Sequence, residues 1–246
     1  MTRYNFFYLL LASALLSAPA HATTYSAESI RAQVVDADTN QPLEGVIVVA
    51  HWQWERKYAS PIGVVGNDPR GPLQLKILET VTDQQGRFYI PAWSSSLPTQ
   101  TDTYLLGIDP RIVMQKPQPE DFDSRIILFK PGYAYNRANP APGALITTAR
   151  STLSQVNDRT IKLKKFEGNL QAYASDLLAL GVDLYFATAY QNCDWKQIPK
   201  MLAATQKQRQ LFNSNNVSNS NLPTIYDLPN PDECGFTADS LREFLK

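Results

Sequence analysis

The chain has 246 residues, with 23 basic side chains against 23 acidic ones and a formal net charge of zero. That balance argues against a nucleic-acid partner, because phosphate attraction needs a clustered excess of Lys and Arg. The length suits one large domain, or one domain plus a sizeable appendage.

The first 22 residues, MTRYNFFYLLLASALLSAPAHA, join Arg3, an apolar run from Phe6 to Leu16 and a small-residue site at Ala20-His21-Ala22. They read as a signal peptide (1–22) cut after Ala22, and they place the mature chain in the periplasm or otherwise outside the cytoplasm. The apolar run is shorter than the roughly 20 residues a spanning helix needs. No later stretch is long enough, so no transmembrane segment is expected after cleavage. Cleavage removes Arg3 and His21, which leaves 22 basic against 23 acidic residues and His51 as the one histidine.

Ile30 to Val35 reads as a first strand, with Ile30, Ala32 and Val34 on one face. Asp36, Asp38, Thr39, Asn40 and Pro42 supply a turn, since short polar side chains bond local backbone and proline presets φ. Leu43 to Trp54 gives a second strand. Val46, Val48, Ala50, Trp52 and Trp54 share one face, and Ile47, Val49 and His51 share the other. Both faces are apolar at their centre, so something must cover the outside of this strand, and a helical C-terminal half is the candidate.

Prolines and glycines punctuate 56–72 as a long loop. Leu73 to Val81 alternates as a strand, and Asp83-Gln84-Gln85-Gly86 turns the chain into a strand from Arg87 to Trp93. Ser94 to Asp102 reads as a polar loop, Tyr104 to Ile108 as a strand and Arg125 to Phe129 as another. Arg159 to Phe166 closes the β part.

At Gly168 the period changes. Leu170, Tyr173, Leu177 and Leu180 recur at helical spacing, with Asn169 as N-cap and Gly181 as the stop. Val182 to Gln191 follows as a short helix and Pro199 to Phe212 as a third, then an Asn/Ser-rich linker from Asn213 to Asn221 and a last helix from Thr237. Cys193 and Cys234, an even pair in an exported chain, read as a disulfide.

The blocks at 36–48 and 80–88 carry a resemblance. Asp36, Thr39, Pro42, Leu43, Gly45, Val46 and Val48, then Thr80, Thr82, Asp83, Gly86 and Phe88, resemble the carboxypeptidase regulatory-like domain family in order and spacing. The likeness covers about sixty residues and extends loosely to Phe166. It implies a mainly β fold, a transthyretin-like or immunoglobulin-like antiparallel β-sandwich of about seven strands within 23–166. An α-helical C-terminal appendage (167–246), tied by the disulfide, completes the expected organisation. It also implies an accessory or binding module with no catalytic residues to transfer.

The chemistry available in the residues agrees with that implication. No Gly-x-Ser-x-Gly elbow, His-Glu-x-x-His or phosphate loop occurs, and one histidine cannot build a multi-histidine metal site. Transthyretin-like hydroxyisourate hydrolases and intradiol dioxygenases share the implied topology but need several histidines. Glu120, Asp121 and Asp123 form the densest acidic cluster, without the spacing of a calcium loop. Neither a cofactor nor a metal is expected. The aromatic residues Tyr58, Tyr133 and Tyr135 lie at strand ends or in loops, where exposed rings stack on sugars or anchor proteins. They are the expected binding residues, and Trp52 and Trp93 the expected core fillers. The chain thus reads as a non-catalytic accessory or binding protein of the bacterial cell envelope, engaging a protein or glycan partner. An envelope hydrolase using carboxylates with His51 is the alternative, as is a structural subunit assembling through a sheet edge.

Overall fold

The computed structural model describes residues 22–54, 57–59, 65–67, 73–98, 125–137, 156–188, 193–217, 222–223 and 234. Its strands are β1 (Ala22–Ala27), β2 (Ile30–Asp36), β3 (Ile47–Trp54), β4 (Lys57–Ala59), β5 (Val65–Asn67) and β6 (Leu73–Val81). They continue as β7 (Arg87–Ile90), β8 (Trp93–Pro98), β9 (Arg125–Phe129), β10 (Asn136–Arg137) and β11 (Arg159–Leu163). Three α-helices follow, α1 (Leu170–Asp176), α2 (Leu178–Thr188) and α3 (Pro199–Ser214), with a 3-10 turn at Asp194–Gln197 between the last two.

The strands form a four-stranded sheet in the order β10-β9-β3-β6 and a three-stranded sheet in the order β11-β2-β7. Their facing side chains share one core. Ala32 and Val34 of β2, Ile90 of β7 and Leu163 of β11 meet Val48, Ala50 and Trp52 of β3 and Leu128 of β9. Alternation does this: successive residues of β7 read exposed, buried, exposed, buried, so Phe88 and Ile90 point in while Arg87 and Tyr89 point out.

The other face of β3 is also buried, as its residue pattern requires. Ile47 and Val49, with Ile77 of β6 and Ile127 and Phe129 of β9, pack under the helical part in a second core. Leu177, Leu180, Leu184, Trp195, Met201 and Phe212 supply the helical side, each at most 1% exposed. Burial of such a side chain contributes about 1.5–3 kcal/mol. Polar contacts fix the register of the two layers. Both carboxylate oxygens of Glu79 on β6 accept from the first turn of α3, from Lys200 N at 3.0 Å and Met201 N at 2.7 Å. These are N–H groups that no helix can satisfy internally. The Tyr173 hydroxyl accepts from Gly132 N at 2.8 Å, and the Asp176 carboxylate from Tyr135 N at 2.7 Å. Cys193 and Cys234 are joined, with Cα atoms 5.5 Å apart and a sequence separation of 41. Closing a loop of that length is worth about 4 kcal/mol in the chain-entropy account.

Several expectations are corrected. The pair β11–β2 is parallel, whereas the other strand pairs are antiparallel. Part of the expected loop after Ser94 is strand: β8 pairs along its length with β1, which precedes the first expected strand. Backbone pairing, which any side chain permits, makes this ribbon. Within the expected 56–72 loop, β4 and β5 form a hairpin. The helical break falls at Leu177 instead of Gly181, whose N–H bonds Leu177 O within α2. Asn169 does cap α1, accepting from Ala172 N at 2.8 Å. The third helix runs two residues past Phe212, to Ser214. Residues 1–21, the strand expected at 104–108, the acidic cluster at 120–123 and the last helix from Thr237 lie outside the described residues.

Gly86 offers a sharp test of the turn that joins the two sheets. Its φ is +68°, and a Cβ there would lie 2.3 Å from Val34 O and 3.0 Å from Leu43 N. Gly132 has a φ of +83° with open space around it. Gly86→Ala is expected to cost upwards of about 3 kcal/mol in urea unfolding, and Gly132→Ala about 1 kcal/mol, the backbone part alone. Equal losses would show that the close approach to β2 is not what selects glycine at 86.

Candidate functional site

The motif residues gather at one end of the two sheets and are occupied there in structural bonds. Asp36 Oδ1 accepts from Asp38 N at 3.0 Å, Thr39 N at 2.9 Å and Thr39 Oγ1 at 3.0 Å, which closes the turn after β2. Its Oδ2 accepts from the Tyr133 hydroxyl at 3.0 Å, across 97 residues of sequence. The Thr39 N–H, foremost, holds this carboxyl below its ordinary range against the opposing effect of burial, helped by the hydroxyls of Tyr133 and Thr39 and by the Asp38 N–H. Thr82 Oγ1 donates to Leu43 O at 2.6 Å and accepts from Val46 N at 2.9 Å. Asp83 Oδ1 accepts from Gln85 N and Arg87 N.

His51 is 2% exposed, on the helix-covered face of β3 between Ile77 and Arg125. Burial, and secondarily the Arg125 charge, depresses its pKa to about 3, so the imidazole is neutral at physiological pH. Its Nδ1 has no hydrogen-bond partner among the described residues. No carboxylate therefore orients it through that nitrogen, as a hydrolytic dyad would require. Among the described residues no group of three or more His, Cys, Asp or Glu could hold a metal ion.

Of the three tyrosines singled out as binding residues, Tyr133 and Tyr135 are not presented on an exposed surface. Tyr133 is 8% exposed and tied to Asp36. Tyr135 is half-buried, its N–H and hydroxyl bonded to Asp176 and Asp183 at the helical layer. Both were expected to be exposed, and both are instead drawn in by carboxylates remote in sequence. Tyr58 lies in β4, and its side chain falls outside the described residues. Trp52 and Trp93, the expected core pair, do meet edge to face, ring centroids 5.3 Å apart.

A different surface has the character of a site. On the outer face of β11-β2-β7, an open groove of about 520 Å³ is bounded by Arg31, Gln33, Arg87, Tyr89, Arg159 and Thr160. Asp83 and Asp158 stand at its margins. Alternation along β2 and β7 puts Arg31, Gln33, Arg87 and Tyr89 outward, opposite the buried Ala32, Val34, Phe88 and Ile90. Tyr89 is 48% exposed, and the Arg31 guanidinium sits 5.3 Å from the centroid of its ring. The parallel strand β11 brings in Thr160, level with the outward Gln33, while Arg159 is level with the inward Ala32. A turn anchors it there: Asn157 Oδ1 accepts from Arg31 N at 2.8 Å, and Asp158 N donates to Arg31 O at 2.6 Å.

None of these three arginines is ion-paired among the described residues, although two carboxylates share the rim. Asp83 is engaged by the backbone of its own turn and Asp158 by the Asn157 amide. Sequence reasoning passed over this face because its residues lie in three separate strands. The signal was nonetheless present: the alternation that places Ile30, Ala32 and Val34 inward places Arg31 and Gln33 outward.

No family model matches the chain, and no curated protein matches it. Similar solved structures include 3-chlorocatechol 1,2-dioxygenase from Rhodococcus opacus 1CP, 17% identical, covering 60% of this chain and 63% of that one, with a TM-score of 0.27. A 9R-lipoxygenase from Cyanothece PCC8801 is 14% identical, covering 85% of this chain and 32% of that one, with a TM-score of 0.26. The chain spans less than two thirds of either. Scores this low carry no weight for chemistry.

The state of His51 has a measurable consequence. Its folded pKa of about 3 lies below the ordinary 6.5, so above pH 6.5 neither state is protonated and its stability contribution is complete. As pH falls, the unfolded chain takes up a proton that the native state refuses, and stability is lost down to about pH 3. At pH 4.5 the loss is on the order of 2–3 kcal/mol. Asp194 acts in the opposite sense, because burial raises its pKa to about 6 and its native form is favoured as pH drops. The clean measurement is therefore a difference. Urea unfolding of the wild type and of His51→Val at pH 7.5 and 4.5 is expected to show a smaller acid loss in the variant, and parallel losses would place the acid sensitivity elsewhere.

Proposed function

We propose that this chain is an exported, non-catalytic accessory protein of the bacterial cell envelope, whose transthyretin-like β-sandwich module holds a protein or glycan partner. One observation carries the binding part of this reading: the outer face of β11-β2-β7 presents Arg31 and Arg87 around the exposed Tyr89, with no ion pair among the described residues to occupy them. Guanidinium groups left without carboxylates in an aromatic groove are the equipment of a recognition surface. The signal-like first 22 residues and the Cys193–Cys234 disulfide support an oxidising, exported setting. Two sheets around a common core, with the motif residues of 36–48 and 80–88 holding one end, support the sandwich module. Among the described residues, three groups that a hydrolase could use are committed elsewhere: His51 is buried and neutral, and Asp36 and Glu79 bind backbone N–H groups.

A second contact surface is favoured by α2, which is apolar on two sides. Leu180, Leu184 and Ala187 are buried, while Leu178, Val182, Tyr185 and Phe186 are 41–55% exposed at helical spacing. That stripe suits a protein partner.

Photo-crosslinking groups placed at 89 and at 185, in the protein in its native envelope, test the reading. A reproducible adduct from position 89 is the expected result. An adduct from 185 alone would move the binding surface to the helical layer. Absence of adducts from both positions, together with a hydrolytic activity abolished by His51→Ala, would overturn the accessory reading.

A further inference from the structure

We infer that the groove on the outer face of β11-β2-β7 takes an anionic saccharide, a sugar chain carrying an isolated carboxylate or phosphate. This inference deepens the binding reading above and rests on it. The cationic groups are all arginine, and their planar forks match the two oxygens of a carboxylate or phosphate. By register, Arg31 and Arg87 sit diagonally across adjacent strands on the outer face, with Thr160 on the third strand beside Gln33. Arg31 is also held against the Tyr89 ring, which restricts its guanidinium before any ligand arrives.

The remaining lining decides what carries the charge. Tyr89, half exposed, offers a ring on which the C–H face of a sugar can stack. Gln33 has its amide N–H committed to Gln85 O at 2.9 Å, which fixes the side chain and leaves its carbonyl oxygen as an acceptor. Thr160 adds a hydroxyl, and Asp83 and Asp158 add acceptor-only carboxylates at the rim. Fixed acceptors alternating with donors suit hydroxyls, which both donate and accept. The same two carboxylates oppose a densely charged acidic peptide, since the two outward arginines against two carboxylates leave no net positive charge. A ligand with sparse charge on a polyol frame satisfies both features. A polyanion does not.

Calorimetric titration of the full mature chain tests the inference with four named probes: tetragalacturonate, a mannotetraose bearing a terminal 6-phosphate, neutral maltotetraose and tetraglutamate. The expected result is binding of at least one charged tetrasaccharide, with maltotetraose and tetraglutamate at least about tenfold weaker. Which charged sugar binds tells carboxylate from phosphate. Arg31→Ala and Arg87→Ala are each expected to weaken binding about tenfold or more, as loss of a hydrogen bond to a charged group does. Arg87→Lys, which keeps the charge but not the fork, is also expected to weaken it. Lys164→Ala removes an exposed cation paired with Glu167, away from the groove, and is expected to change nothing. Unfolding midpoints equal to wild type would show that the variants are folded.

Tetraglutamate binding as well as the charged sugars, or maltotetraose binding as well, would overturn the inference, as would equal affinity in the arginine variants. Failure of all four probes alongside a protein adduct at position 89 would sink the saccharide and leave the binding module standing. Failure of all four with no adduct at 89 would sink the groove as a binding surface along with the saccharide.

Discussion

The structure depends on one strand that has no solvent face. β3 buries Val48, Ala50 and Trp52 against the three-stranded sheet and Ile47, Val49 and His51 under the helices, all at 8% exposure or less. A sheet with a single core needs only one apolar side. A doubly apolar strand forces a second layer into existence, and the helical part is that layer. Its accessories follow from the same need. Glu79 leaves water to receive two helix N–H groups, and burial raises its pKa even though those bonds and Lys200 pull it down. The disulfide then holds the chain between α2 and α3 to a distant segment, which limits how far the layer can open.

Covering one sheet in this way makes the molecule asymmetric. The four-stranded sheet is closed on both faces, whereas the three-stranded sheet keeps Arg31, Arg87, Tyr89 and Thr160 exposed on its outer side. Buried polar groups in this fold are used for holding elements together: Asp36 for a turn and a tyrosine, Thr82 for two backbone partners, Thr205 for the carbonyls of its own helix and of Pro223. Groups spent in that way cannot also serve a ligand. Among the described residues, packing leaves the outer face of β11-β2-β7 and the exposed stripe of α2 unconsumed.

Much of this architecture was legible in the residues, for reasons that can be stated. Strands β2, β3, β6 and β9 carry strict alternation or dense apolar runs, and the Asn169 cap precedes a clear helical period. The double burial of β3 followed from its own two faces. The β1–β8 ribbon was not legible, because Ser94, Ser95 and Ser96 carry no strand preference and only the pairing itself makes them extended. The helix break at Leu177 was hidden for a related reason. Leu177, Leu180 and Leu184 keep an apolar rhythm straight through it, and Gly181 drew attention because glycine often ends helices. Tyr133 and Tyr135 were misjudged because strand ends are usually wet, while here Asp36, Asp176 and Asp183 receive their polar atoms inside.

The groove was the least legible feature, since a site spread over three strands exists only once the parallel pairing of β11 is known. Its electrostatics also differ from what the whole chain suggests. A formal net charge of zero means that no long-range field steers anionic ligands toward the molecule. Salt confines the influence of the groove's arginines to about 8–10 Å. Within that distance the geometry of the donors matters more than their total charge, so selection falls to contact. A polyanion gains little from such a surface, because most of its charge lies beyond reach and part of it meets Asp83 and Asp158. A ligand with one well-placed anionic group and a neutral remainder uses the forks, the ring and the rim acceptors together. Local order thus supplies a selectivity that composition alone conceals.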